Sequence, residues 1–66
     1  MEQLIHITGM TCQHCVRAVS NALSKVPGVG RVEVSLEKGE ARVEGDASAD
    51  ALIRAVESEG YKASLS

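Results

Sequence analysis

A chain of 66 residues with a formal charge of −2 has room for one small domain and lacks the basic surface that nucleic-acid binding requires. Tyr61 is its only aromatic residue, so Val, Leu, Ile and Ala must build the core, and a domain this small buries only about 60% of its unfolded surface. Marginal stability and no room for a deep cavity argue against an enzyme and for a binding module steadied by a metal, a disulfide or a partner.

No basic segment followed by an apolar one opens the chain, as in an export signal. No apolar run approaches the ~20 residues of a membrane-spanning helix. A cytoplasmic location is therefore expected, where thiols stay reduced and two cysteines serve as ligands or redox groups. Met1 at one end and a fold complete by Ser66 suggest an independent protein, one domain over residues 1–66.

Residues 2–8 alternate as a strand, with Ile5 and Ile7 on one face and Leu4, His6 and Thr8 on the other. Gly9 ends it. Val16, Val19, Leu23 and Val26 then form the apolar stripe of an amphipathic helix over roughly 13–26, with Thr11 as its N-cap. Lys25 suits the negative end of the helix dipole, and Pro27-Gly28 stops the helix.

Val29, Val32, Val34 and Leu36 mark a second strand, and Ala41 and Val43 a third. Reading Lys38-Gly39 as a two-residue turn pairs Leu36 with Ala41 and Val34 with Val43, and sets Glu33 against Glu44 at a mild like-charge cost that Arg42 offsets. Ser48 caps a second helix, along which Ala49, Leu52, Ile53 and Val56 share a face and Asp50 pairs with Arg54. Glu57 and Glu59 fall in its last turn, against the dipole. Gly60 ends it, and Tyr61 to Leu65 make a last strand.

The order βαββαβ, with right-handed crossovers, predicts an α+β ferredoxin-like open-faced sandwich: a four-stranded antiparallel sheet with both helices on one face. Following the strand directions brings the cysteine loop, the Lys38-Gly39 turn and the Gly60-Tyr61 junction to the same end.

Both cysteines lie in the stretch Gly9-Met10-Thr11-Cys12-Gln13-His14-Cys15, between the first strand and the first helix. Backbone N–H groups and the positive dipole end at a helix start favour thiolates and a net-negative bis-thiolate complex. Two soft ligands suit Cu(I), whereas structural Zn(II) asks for four, and no carboxylate lies between Thr8 and Arg17. Ag(I) and Hg(II) meet the same two sulfurs equally well.

This loop, followed by Val16, Val19, Ala22-Leu23, Pro27-Gly28-Val29 and Gly60-Tyr61, resembles the heavy-metal-associated domain family over nearly the whole chain. Within that family it looks like the free-standing bacterial copper chaperones of the CopZ type. The resemblance implies the βαββαβ fold, Cu(I) held by Cys12 and Cys15, and handover to the cytosolic metal-binding domain of a copper-exporting P-type ATPase.

Three further residues stand near the expected site. Met10 is a soft side chain that either fills the gap under the loop or adds a thioether ligand. His14 is either a solvated neighbour of the thiolates or a third ligand in a copper-bridged homodimer. Tyr61 is either a rim residue of the core or a screen over the metal. His6, mid-strand on the open face, has no part in the site, and Arg17 is the one cation of the first helix close enough to meet an acidic partner surface. The rivals to a copper chaperone are a thiol–disulfide redox protein using Cys12 and Cys15, a piece of an ATPase's own N-terminal region, and a mercury carrier.

Overall fold

The computed structural model describes residues 2–65; the two chain ends on which an independent protein was expected, Met1 and Ser66, lie outside the described residues. The elements are β1 (Glu2–Thr8), α1 (Gln13–Ser24), β2 (Val29–Ser35), β3 (Glu40–Gly45), α2 (Ala49–Glu57) and β4 (Lys62–Leu65). The strands form one sheet in the order β2-β3-β1-β4, every neighbour antiparallel. This is the ferredoxin-like βαββαβ arrangement expected from the element order.

Alternation decides which face of the sheet is covered. Ile5 and Ile7 of β1, with Ala41 and Val43 of β3, are buried and meet Val19 and Leu23 of α1 and Leu52 and Val56 of α2. Ala47, in the connection before α2, is buried with them. Of the helical stripe read from the sequence, Val16 and Val26 are only half-buried because they lie at its two ends. α1 packs on β2, α2 on β4, and the helices on each other.

The β2–β3 connection differs from the expected two-residue turn. It is a four-residue turn, Leu36 to Gly39, and the register moves by two: Val34 faces Ala41, Val32 faces Val43, and Glu33 faces Arg42. A shift of two keeps every side chain on its face, so the apolar pattern alone could not distinguish the registers. The electrostatic consequence is favourable. Arg31 rather than Glu33 lies across from Glu44, and Arg42 reaches Glu2 at 3.4 Å.

Three boundaries also move. α1 stops at Ser24, with Lys25 as its C-cap; α2 stops at Glu57, leaving Glu59 beyond the helix; and β4 starts at Lys62, with Tyr61 just before it. Ser48 caps α2 as expected, its Oγ accepting from the Ala51 N–H at 3.2 Å, and Asp50 pairs with Arg54 at 3.2 Å. Among the described residues, no helix is long and apolar enough to cross a membrane.

Candidate metal centre

The cysteine loop leaves the sheet at the end of β1 and runs directly into α1. Cys12, not Thr11, is the N-cap: its backbone is extended and its carbonyl accepts from the N–H groups of Cys15 and Val16, at 3.0 and 3.3 Å. No side chain caps this helix and its first turn holds no acidic residue. The free N–H groups and the positive dipole end therefore remain open to the sulfurs. Thr11, released from capping, sets its hydroxyl 3.8 Å from Cys15 Sγ. A sequence reading that assigns Thr11 to the cap misses this contact.

The two sulfurs lie 3.9 Å apart, well beyond a disulfide bond of about 2.04 Å and close enough to grip one soft ion. They are not equivalent. Cys12 is exposed and Cys15 half-buried. The Cys15 thiol is lowered from 9.0 to about 6, chiefly by the Thr11 backbone N–H, then by the Tyr61 hydroxyl and the Cys12 backbone N–H; partial burial opposes this, and the Thr11 hydroxyl adds a little. Tyr61 approaches Cys15 without a hydrogen bond of regular geometry, yet near enough to favour the thiolate. Its own phenol is pushed upward, first by that interaction and then by burial and the two cysteines.

Tyr61 is half-buried against the core, and a Cβ at Gly9 would touch its ring at 3.4 Å. The three connections expected at one end do meet there: Tyr61 lies by Gly9, and Gly39 bonds to Ile7. Met10 is half-buried and packs against the core. His14 is exposed in the first turn of α1, and among the described residues no three His, Cys, Asp or Glu side chains gather as a metal cage. His6 is exposed on the open face between Glu40 and Ser64.

Both cysteines lie within the stretch of this chain that is similar to known proteins. The model of the heavy-metal-associated domain matches residues 4–62. The chain belongs to the heavy-metal-associated domain family. The copper chaperone CopZ of Staphylococcus haemolyticus is 39% identical to this family member over 64 residues, covering 92% of this chain and 94% of that protein. Mercuric reductase of Shigella flexneri is 49% identical over 63 residues; the match takes in 92% of this chain but only 11% of that enzyme's length. Among solved structures, a copper binding domain from HMA7, a P-type ATPase, superimposes with a TM-score of 0.95 at 29% identity, covering 98% of this chain and 92% of that one.

Proposed function

We propose that this heavy-metal-associated domain, taken as one unit over residues 1–66, is a cytoplasmic Cu(I) metallochaperone and not an enzyme. The observation that carries the reading is the pair of sulfurs, 3.9 Å apart at an uncapped helix start, with no carboxylate beside them. Cys12 and Cys15 hold the ion as cargo. Two thiolates satisfy a soft, low-coordinate cation and leave zinc two ligands short. The likeness to a CopZ over almost its full length supports the same reading.

Handover proceeds by ligand exchange. A thiolate of the acceptor attacks the ion beside exposed Cys12, three sulfurs share it, and one chaperone sulfur leaves. The acceptor is the metal-binding domain of a copper-transporting P-type ATPase, a reading supported by the shared fold of the HMA7 domain. Arg17, exposed on α1, meets an acidic patch of that acceptor, and such exposed pairs steer encounter more than they bind. His14 and Met10 do not ligate in the monomer; a copper-bridged homodimer would bring His14 closer to the ion.

The 49% identity to part of a mercuric reductase favours a second reading, a carrier of Hg(II) on the same two sulfurs. An anaerobic competition titration separates the two. Reduced protein and Cys12→Ser are offered Cu(I) against a chromogenic chelator, with Zn(II) and Hg(II) in parallel. One tight Cu(I) per chain, lost in the variant and much stronger than zinc, is the expected result. Weak Cu(I) with tight Hg(II) moves the assignment to mercury, and weak binding of both by a folded chain overturns it.

A further inference from the structure

We infer that Gly39, in the β2–β3 turn and far in sequence from the cysteines, is a positioning residue for the metal loop; this rests on the metal-binding reading above. Regular pairing of β1 with β3 ends at His6 and Glu40. The next bond goes to the turn: the Ile7 N–H donates to the Gly39 carbonyl at 2.7 Å. The turn is itself held closed, with the Gly39 N–H donating to Leu36 at 3.3 Å and the Lys38 N–H to Ser35 Oγ at 3.2 Å.

Gly39 lies flat against the Ile7 peptide. Its φ is +64°, and a Cβ there would stand 3.1 Å from the Ile7 carbonyl oxygen. That oxygen belongs to backbone, in a strand whose Ile7 side chain is 3% exposed and whose other neighbour, β4, pairs Ile7 with Ala63. The strand cannot retreat cheaply on either side. Two residues on, Gly9 faces the ring of Tyr61, which in turn acts on Cys15. The segment from Ile7 to Gly9 is thus gripped between the turn and Tyr61, and the metal loop leaves from it. A side chain at Gly39 displaces the loop at its root and changes how the two sulfurs face one ion.

The test compares Gly39→Ala and Gly39→Asn with Val29→Ala, a packing loss where β2 begins, at the other end of the sheet. Asn tolerates the left-handed backbone but brings the same Cβ. The readouts are denaturant stability, amide resonances of Ile7, Gly9, Cys12 and Cys15 in the reduced metal-free chain, and Cu(I) affinity. Both Gly39 variants should shift the cysteine amides and lower Cu(I) affinity about tenfold, the scale on which supporting residues affect metal sites. Asn should recover stability relative to Ala without recovering affinity. Val29→Ala should lose stability with the cysteine amides and affinity unchanged. Native cysteine amides and affinity in a folded Gly39 variant would overturn the inference, as would equal effects from Val29→Ala. Should the native chain bind no Cu(I), the metal reading fails, while the amide shifts still decide the role of Gly39.

Discussion

At the scale of single residues, the site is asymmetric. Cys15 receives N–H groups and Tyr61, and Cys12 stands in solvent. Alkylation of Cys15, followed by mass spectrometry across pH, should reach half its limiting rate near pH 6. Tyr61→Phe should move that midpoint toward 9.0 by more than Thr11→Val does, because the Thr11 hydroxyl contributes least and its backbone N–H survives substitution. The same group couples stability to pH. A thiol lowered in the folded state binds fewer protons there than in the unfolded chain between pH 6 and 9, so folding is favoured as pH rises through that window and the gain is lost as pH falls through about 6. Denaturant melts of the reduced, metal-free chain at pH 6, 7 and 8 should show increasing stability, and Cys15→Ser should flatten the trend. The raised phenol of Tyr61 has the opposite sign, and acts only above pH 10.

Among the elements, the two helices begin in opposite ways. α2 is closed by Ser48 and carries Asp50 in its first turn, whereas α1 leaves its N-terminus open for the cysteines. Ser48→Ala should cost about 1 kcal/mol in a chemical melt. Arg54→Ala should cost only a few tenths, roughly 0.3 kcal/mol, because the Asp50 pair is exposed. A cap engineered into α1 should have a different effect. Cys12→Ser gives the helix a good N-cap residue, so it should raise metal-free stability while removing metal binding, two changes that a melt and a titration read separately.

For the whole molecule, stability rests on one small apolar core, to which a bound metal would add. Leu52 is fully buried between α2 and the sheet, and Leu52→Ala should cost about 2–5 kcal/mol, enough to bring the metal-free domain near its unfolding midpoint. Cu(I) at a hundredfold excess over its Kd should return up to about 2.7 kcal/mol, less whatever the unfolded Cys-x-x-Cys segment binds, because the folded loop holds the two sulfurs ready. Circular dichroism of Leu52→Ala with and without Cu(I) should therefore show metal-dependent refolding.

Element order, the buried faces of β1, α1 and α2, the Ser48 cap and the cysteine pair were legible in the sequence, because each rests on local periodicity or on adjacent residues. The meeting of Tyr61, Gly39 and the cysteine loop at one end also followed from strand directions alone. Tertiary structure decided the rest. The β2–β3 register depended on turn geometry, since a shift of two leaves every apolar residue on the same face. The Thr11 contact depended on local cap geometry, since Cys12 takes the cap position and the Thr11 hydroxyl lies 3.8 Å from Cys15 Sγ, whereas the surroundings of Gly39 depended on the fold, which sets a Cβ there 3.1 Å from the Ile7 carbonyl oxygen. Composition and spacing single out the two cysteines, but only packing decides how their sulfurs are held.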